Sequence, residues 1–310
     1  MIKAISFGIT YLIIRLFSFF PFFILNGLSW IIFQMLDKII HYRQQVILRN
    51  LRNAFPEKSQ EEIRIIKTEF YRYFSRLIME NIKMYSLSPK RLEKYIHLKN
   101  PEVIRKFYDE GVSVAAIAAH YGNWEWLLGL KKDVPFHTLG IYKPLNNSLF
   151  NTFITGHRSR YNTEMINMRD VPRVLRNYVN KGIRTLTLFI ADQSPVWEEI
   201  QYWTKFLNQN TAVYLGPEKL AQKLKLTVIY FRVNVLKNHR YEVEAIPLTE
   251  DASKLKRFEL TEAYLRLLEE DIINMPCYWL WSHRRWKLTE KRDLQEKQGI
   301  YRFEGHFRKK

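Results

Sequence analysis

The sequence predicts an α/β fold in which helices flank a central, mostly parallel sheet, with an N-terminal hydrophobic helix as a membrane anchor. Two patterns carry this prediction. From residue 111 onward, short apolar runs typical of buried strands alternate with segments of helical periodicity. Residues 5–36 carry a single charged side chain, Arg15. We therefore divide the chain into an anchor, residues 1–36, and one domain, residues 37–310, which begins with a helical lead-in at residues 37–100.

The apolar N-terminal segment is long enough to cross a bilayer. Leu16 to Met35 contains no charge, and a membrane span needs about 20 apolar residues. Pro21, Asn26 and Gly27 interrupt the run, so it forms either one tilted span or a kinked helix that lies in the interface. The run is longer than the apolar core of a signal peptide, and no small-residue cleavage site follows it. Its dense phenylalanines are unusual for a buried core helix. We therefore expect membrane attachment.

The charge balance indicates an anionic partner. Lys and Arg total 49 against 31 Asp and Glu, a formal net charge of +18, which suits nucleic acid, lipid phosphates or an acidic protein. No familiar nucleic-acid-binding motif occurs and the basic residues are spread along the chain, so nucleic acid is disfavoured. Basic residues that follow the apolar segment favour a cytoplasmic domain: Lys38, Arg43, Arg49 and Arg52. The single cysteine, Cys277, excludes an intrachain disulfide and is expected to be a packed residue.

Residues 37–97 show helical patterns. One helix ends near Phe55 and Pro56, and Ser59 with Glu62 forms a capping box that begins the next. The apolar positions of this second helix recur at helical spacing: Ile63, Ile66, Phe70, Phe74 and Ile78. We therefore expect the lead-in to be helical.

The predicted sheet begins with the small, apolar run GVSVAAIAA at residues 111–119, which suits a strand buried on both faces. Further strands are predicted at residues 136–142, 184–191, 226–233 and 241–246. Helices are predicted at residues 124–130, 147–160, 171–180, 216–224 and 261–274. Because strands and helices alternate, we expect βαβ connections and a largely parallel sheet. The charged residues 290–310 are predicted to form a solvated tail or a surface helix.

His120 and Glu125 stand out because they follow the first buried strand, at the edge of an α/β sheet where ligands collect. Gly122 and Asn123 allow a tight turn, and Asn123 can cap the helix that follows. Across such a turn the carboxylate can return to the imidazole and hold one ring nitrogen protonated, which leaves the other free to take a proton from a hydroxyl. The alternative is a histidine that only caps or hydrogen-bonds. We expect no metal, because His-x4-Glu is not a common ligand spacing and no second His/Cys cluster is near, and no cofactor.

Five ordered blocks along nearly the whole chain resemble the lipid A late acyltransferases of Gram-negative bacteria, the lauroyl/myristoyl-transferase type of the H-x4-(D/E) acyltransferases. The first block is the early segment with YR at residues 42–43, NL at 50–51 and FP at 55–56. The others are HYGNWEW at 120–126, Tyr142-Lys143-Pro144 followed by Asn147, Arg158 and Arg160, ADQSP at 191–195, and WSHRRWK at 281–287.

The resemblance implies transfer of a fatty acyl chain from acyl carrier protein to a hydroxyl of a lipid A precursor in lipopolysaccharide biosynthesis. The reaction would take place at the bacterial inner membrane with the catalytic domain on its cytoplasmic face. His120 would be the general base, oriented by Glu125. Arg158 would stabilise the oxyanion, with Arg160 as the substitute, because His157 stands directly before Arg158 where the family usually has glycine.

The resemblance also implies substrate-binding roles for other residues of the matching blocks. Lys143, Asn147, Asp192 and Gln193 would position the substrate, and the last two could instead brace the His120 loop. His283, Arg284, Arg285 and Lys287 would contact lipid headgroups, because arginine interleaved with tryptophan suits phosphate at a membrane surface. Packing together with a solvated face is the alternative for this block. Two further alternatives remain for the whole chain: another membrane glycolipid or aminolipid as acceptor, and a scaffold without activity.

Overall fold

The structure is a computed structural model that describes residues 2–289 together with residues 291 and 292. The strands are β1 Ile96–Leu98, β2 Val114–Ala118, β3 His137–Tyr142, β4 Thr163–Asn167, β5 Thr185–Ile190, β6 Trp203–Phe206, β7 Gln209–Ala212, β8 Thr227–Val235 and β9 Tyr241–Thr249. The helices are α1 Ile2–Ser18, α2 Phe22–Gln34, α3 Gln44–Ala54, α4 Gln60–Met84, α5 Pro89–Leu92, α6 Pro101–Asp109, α7 Ser148–Ser159, α8 Val171–Asn180, α9 Gly216–Leu224 and α10 Glu259–Asn274.

Seven strands form the central sheet in the order β1-β9-β8-β2-β5-β3-β4. The five strands from β8 to β4 run parallel to one another, whereas β9 is antiparallel to β8 and parallel to β1. The small apolar residues of β2 are all buried, because β2 lies between β8 and β5 and is covered on both faces. The predicted mostly parallel sheet is therefore confirmed, and the C-terminal ends of β2, β5 and β3 meet at one edge.

The N-terminal apolar segment forms two helices rather than one straight span. α1 ends at Ser18 and α2 begins at Phe22, with Pro21 directly before it. A π-helical turn, Met35–Ile39, continues α2, and Phe22–Ile39 is long and apolar enough to cross a membrane by length and composition. The segment is therefore a candidate membrane anchor, as predicted, and it is kinked at the proline.

The helical lead-in is confirmed with one correction. The capping box at the start of α4 is present, since Ser59 Oγ accepts the Glu62 N–H at 3.2 Å and a Glu62 carboxylate oxygen accepts the Ser59 N–H at 2.8 Å. α3 ends at Ala54, as expected from the Phe-Pro pair that follows. The prediction of helix as far as residue 97 is wrong at its end, because Ile96–Leu98 alternates in burial and pairs with β9 as an edge strand.

The other predicted elements are found, with shifted ends. Besides β1, the described residues include further elements that were not predicted: β4, α6 and the antiparallel hairpin of β6 and β7. Residues 124–130, predicted as helical, belong to a 3₁₀ helix, Trp124–Asp133. Cys277 is half-buried. The predicted charged tail at residues 290–310 lies outside the described residues, except for Lys291 and Arg292.

Candidate active site

Adjacent parallel strands bring a histidine and a carboxylate together. β2 and β5 are paired with Ala118 opposite Ile190, and the chain continues two residues beyond each of these positions to His120 and Asp192. Because both strands run in the same direction, both side chains emerge at the same edge of the sheet. The His120 Nδ1 lies 2.6 Å from the Asp192 Oδ1.

Asp192 is held as a buried carboxylate. Its second oxygen accepts the indole N–H of Trp279 at 2.9 Å, and the side chain is 3% exposed. Burial alone would raise the pKa of Asp192, but the charge and hydrogen bonds of His120, together with the Trp279 N–H, lower it to about 2. An ionised carboxylate can only accept a hydrogen bond, so the His120 Nδ1 must carry the proton that it donates to Asp192. Nε2 is then left as the basic nitrogen.

Two further side chains surround the imidazole. The amide nitrogen of Gln193 lies 3.2 Å from the His120 Nε2 and 3.4 Å from Nδ1. The indole of Trp124 meets the ring edge to face, with 4.8 Å between centroids. These contacts limit the rotation of the ring, whose side chain is 19% exposed.

The second acidic residue of the motif, Glu125, has a different partner from the one expected. Arg158 on α7 donates two hydrogen bonds to the Glu125 carboxylate, from Nε at 2.9 Å and from Nη2 at 2.5 Å. The expected orientation of His120 by Glu125 is therefore corrected: the carboxylate on the imidazole is Asp192. A bidentate guanidinium–carboxylate pair fixes both partners in one plane, so Glu125 and Arg158 form a rigid unit beside the histidine.

The turn between His120 and Glu125 is tied to the rest of the fold by its backbone. Gly122 has φ +63°, and a Cβ there would lie 2.6 Å from the Val233 Cγ1, so glycine is required for close approach to β8. The His120 carbonyl accepts the Leu280 N–H at 3.1 Å, and the Gly122 N–H donates to the Tyr278 carbonyl at 3.1 Å. The C-terminal segment therefore braces the turn from one side.

Asn123 was expected to cap the following helix, and this is wrong, because no side-chain cap is formed. Its amide instead donates to the Glu80 carboxylate at 3.0 Å. Glu80 is fully buried on α4, and its carboxylate also accepts a hydrogen bond from the Tyr241 hydroxyl at 2.5 Å. The His239 Nδ1 lies 2.8 Å from the same carboxylate. Arg76 completes the group as an ion pair at 3.3 Å. This network fixes the far side of the turn, and no local sequence pattern indicated it.

A cavity of about 850 Å³ opens in front of the histidine. His120, Glu125, Arg158 and Gln193 supply polar groups to its wall. Apolar side chains line its remainder, among them Leu128, Ile141, Met165, Met168, Leu188 and Phe189. A largely apolar cavity with a few convergent polar groups is the form of a site for a small, mostly hydrophobic ligand.

The remaining predicted substrate-binding residues divide between the cavity and its surroundings. Lys143 is exposed and lines the cavity, as do Lys219 and Lys223 of α9, which were not predicted. Asn147 does not line it and caps α7, accepting the Leu149 N–H at 3.0 Å. Arg160 is exposed outside the cavity and donates to the Tyr85 carbonyl at 3.2 Å. Arg158 is therefore the arginine of this block that faces the site.

The C-terminal block is mostly structural in its contacts. Arg285 is 1% exposed and donates to the Thr211 hydroxyl at 2.5 Å and the Ala212 carbonyl at 2.9 Å, so the expected headgroup contact is wrong for this residue. Burial lowers the pKa of His283 to about 4, with nearby cations adding to the effect and Asp192 opposing it. Arg284 and Lys287 are exposed and remain available for anionic groups.

Within residues 2–289 and 291–292, no group of three or more His, Cys, Asp or Glu side chains is placed to hold a metal ion.

Comparisons with known proteins agree over almost the whole chain. The sequence model of the family described as bacterial lipid A biosynthesis acyltransferase matches residues 2–288. The chain is 23% identical over 278 residues to the lipid A biosynthesis palmitoleoyltransferase of Escherichia coli (strain K12), covering 86% of each chain. It is 21% identical over 283 residues to the lipid A biosynthesis lauroyltransferase of the same strain, covering 90% of this chain and 89% of the relative. A lipid A biosynthesis acyltransferase of Haemophilus influenzae is 23% identical over 266 residues.

Proposed function

The chain belongs to the bacterial lipid A biosynthesis acyltransferases, and we propose that it moves a fatty acyl chain from acyl carrier protein to a hydroxyl of a lipid A precursor. The single observation that carries the proposal is the His120–Asp192 pair, 2.6 Å apart, at the wall of a cavity with mostly apolar side chains. A base held in one tautomer beside an apolar cavity is what transfer of a fatty acyl group to a hydroxyl requires.

His120 acts as the general base. Its Nε2 takes the proton of the acceptor hydroxyl while the oxygen attacks the thioester carbonyl, and Asp192 stabilises the imidazolium that forms. The new C–O bond gives a tetrahedral intermediate. When the intermediate collapses, the C–S bond breaks and the imidazolium returns the proton to the leaving thiolate. The products are an ester and the free thiol of the carrier, so His120 ends the cycle in its starting state.

Arg158 stabilises the negative charge that develops on the carbonyl oxygen. Glu125 occupies its Nε and Nη2, which leaves Nη1 without a bond to that carboxylate and fixes the plane of the guanidinium. A cation that is already oriented stabilises an oxyanion without reorganising during the reaction. In this proposal Glu125 positions the arginine, and Asp192 takes the role toward His120 that Glu125 had in the sequence prediction.

The apolar part of the cavity receives the acyl chain, and the exposed lysines at its edge meet the anionic groups of the substrates. The volume of about 850 Å³ falls within the range of about 300–1,000 Å³ that small-molecule sites occupy. Lys143 lies at this edge, with Gln193 contributing a polar contact next to the base. The formal net charge of +18 attracts both an acidic carrier protein and phosphorylated lipid.

The proposed place of action is the bacterial inner membrane, with the catalytic domain on the cytoplasmic face. The apolar segment at the N-terminus supplies the attachment, and the basic residues that follow it favour the cytoplasmic side. The donor and the acceptor then meet where soluble carrier protein reaches membrane lipid.

The proposal is tested by comparing lipid A from bacteria that carry the gene with lipid A from the matched deletion strain, by mass spectrometry. We expect lipid A of the deletion strain to lack one acyl chain, and His120→Ala to fail to restore it. Arg176→Ala, exposed on α8 and outside the cavity, is the matched control and should restore it. Lipid A with an unchanged acyl number would exclude this acceptor, and a changed membrane glycolipid or aminolipid in the same extracts would identify the alternative one.

A further inference from the structure

Phe22–Ile39, which is long and apolar enough to span a bilayer, packs along α4 over its whole length. Lys83 on α4 donates to the Phe20 carbonyl at 2.9 Å, at the start of α2. Further along α2, the Phe33 ring lies under the guanidinium of Arg72, 5.4 Å from its centroid. At the end of the π-helical turn, Asp37 pairs with Lys67 at 2.7 Å. The residue numbers of these pairs rise along α2 and fall along α4. The two helices are therefore antiparallel neighbours for about 25 Å.

α4 cannot enter the hydrocarbon of a bilayer. One side of it packs into the core of the domain, where Phe70, Tyr71 and Leu77 are buried. Its exposed side carries the ion pairs of Arg64 with Glu61 and of Arg72 with Glu69. Charged side chains at membrane depth are strongly unfavourable. If α2 crossed the bilayer in its observed position, it would carry α4 and the edge of the domain into the membrane.

The other side of α2 is apolar and exposed. Phe23 is 75% exposed and Trp30 is 61% exposed, and Ile31 is exposed as well, as is Met35 in the π-helical turn that follows. Tryptophan and phenylalanine at such positions suit the boundary between headgroups and acyl chains. The exposed face of α2 therefore fits a membrane surface, while the opposite face holds the domain.

α1 has the same division into two faces. Its outer positions Ile5, Ile9, Leu12 and Leu16 recur at helical spacing and are exposed. On its other face, Phe7 meets Phe150 edge to face at 5.1 Å between centroids, and Tyr11 meets Phe153 at 5.4 Å. Both partners belong to α7, which also supplies cavity-lining residues. α1 is thus packed on the domain beside the site rather than on the far side of a membrane.

The apolar surface reaches the cavity and has basic residues beside it. Leu149 is exposed at the start of α7, and Leu145, also exposed, lines the cavity. Next to the break between α1 and α2, Arg15 and Arg160 both donate to the Tyr85 carbonyl, at 3.4 Å and 3.2 Å. Neither arginine takes part in an ion pair among the described residues. Lipid phosphates complement such positive charge next to an apolar face.

From these contacts we propose that residues 2–39 are a monotopic anchor: α1 and α2 lie in the interface of an anionic bilayer, and the chain does not cross it. The anchor holds the cavity edge at the membrane surface, so that a lipid acceptor enters the cavity from the headgroup layer. This inference concerns the form of the membrane attachment in the proposed function and does not depend on the catalytic roles.

The test is the location of the N-terminus. In the full-length Cys277→Ala protein, one new cysteine is placed either in a short peptide fused before residue 1 or at Lys254→Cys, an exposed position of the domain. Spheroplasts and everted membrane vesicles are treated with a membrane-impermeant maleimide. We expect both cysteines to react only in everted vesicles. Reaction of the N-terminal cysteine in intact spheroplasts, with Lys254→Cys protected, would show a span and overturn the inference.

A second measurement tests the lipid-facing surface. Purified full-length protein is mixed with preformed vesicles of phosphatidylglycerol and phosphatidylethanolamine, and binding is measured by flotation. The double variant Phe23→Asp with Trp30→Asp should bind at least tenfold more weakly, whereas Asn177→Asp with Asn180→Asp, exposed on α8, should bind as the parent does. Equal binding of all three proteins would overturn the inference. If the Phe23→Asp, Trp30→Asp variant loses vesicle binding but retains acyl transfer in detergent, the membrane attachment is tested separately from the proposed catalysis.

Discussion

Replacing Asp192 with asparagine tests how His120 is prepared for catalysis. The carboxylate accepts from two donors at once, the His120 Nδ1–H and the Trp279 Nε1–H. An asparagine of the same shape has one accepting oxygen, so it can satisfy only one of them. If the oxygen turns to Trp279, the amide N–H₂ faces Nδ1 and selects the tautomer with the proton on Nε2. That nitrogen can then no longer accept a proton from the hydroxyl.

The size of the effect follows from the environment of the carboxylate. The pKa of Asp192 is lowered from 3.8 to about 2 in spite of full burial. A difference of this size corresponds to about 2 kcal/mol in favour of the ionised form. The stabilisation that Asp192 gives the imidazolium in the transition state is lost in the variant. A loss of about 2 kcal/mol accounts for about 30-fold in kcat, and selection of the wrong tautomer accounts for the remainder. We therefore expect Asp192→Asn to lower kcat by about 10³- to 10⁴-fold, the loss seen when an orienting aspartate is neutralised in a catalytic triad.

The assay is the initial rate of ester formation with saturating acyl donor and lipid acceptor, so that kcat and KM are obtained separately. KM should change little, because Asp192 does not line the cavity. Trp279→Phe is the matched control: it removes the donor to the second oxygen and keeps the bond to His120, and it should lower kcat by about tenfold or less. Thermal melting of each variant checks that the fold is retained. A folded Asp192→Asn protein with kcat within threefold of the parent would show that Asp192 does not prepare His120 for catalysis.

Three further outcomes are expected. Arg158→Ala should lower kcat/KM by about 10²- to 10³-fold, because it removes the proposed oxyanion donor and frees Glu125, whereas Arg160→Ala should stay within threefold in the same assay. Burial lowers the pKa of His157 to about 3 from 6.5, so stability present above pH 6.5 is lost as the pH falls toward 3; this loss reaches about 2 kcal/mol at pH 5. His157→Phe should lack that part of the loss, and equal losses between pH 7.5 and pH 5 in chemical denaturation of both proteins would contradict this. Glu80→Ala should reduce the free energy of unfolding by about 3–5 kcal/mol, because the buried Asn123 amide and Tyr241 hydroxyl lose their acceptor and the partly buried Arg76 loses its counter-charge. A loss below 1 kcal/mol would contradict the network.

The strands that are buried on both faces of the sheet were predictable from the sequence. All five residues of β2 are apolar and buried, as expected for a central strand that is covered on both faces of the sheet, and such apolar runs are visible in one sequence. β4 reads TEMIN, with polar residues at an edge of the sheet, and β1 has three residues. Short or edge strands owe their structure to pairing with distant residues, so their own sequence carries little signal.

The candidate site was predictable as a set of residues but not as a set of contacts. His120, Glu125, Arg158 and Asp192 were each candidates from the matching blocks, and the structure brings them to one edge of the sheet. The pairing was wrong because short spacing favoured Glu125 as the partner of His120. Asp192 lies 72 residues away and reaches the imidazole only through the pairing of β2 with β5.

Buried charges were the features that the sequence concealed. Glu80 stands in an amphipathic helix, where an acidic residue usually faces solvent, yet it is fully buried with partners up to 161 residues away. Arg285 lies between residues that suit a membrane surface, yet it is buried against Thr211 and Ala212. Whether a charged side chain is solvated or buried depends on distant elements, which residue type and spacing alone do not specify.

Reconstitution of the reaction with purified components tests directly whether this protein acylates a lipid A precursor through His120. The full-length protein in detergent is given an acyl carrier protein thioester and a lipid A precursor, and the lipid products are analysed by mass spectrometry. We predict a product heavier by one acyl group with the parent protein, at least 10³-fold less of it with His120→Ala, and parent-like amounts with Arg160→Ala. Equal product from His120→Ala and the parent would exclude His120 as the base, and no acyl transfer to the precursor by the parent protein would exclude the proposed reaction.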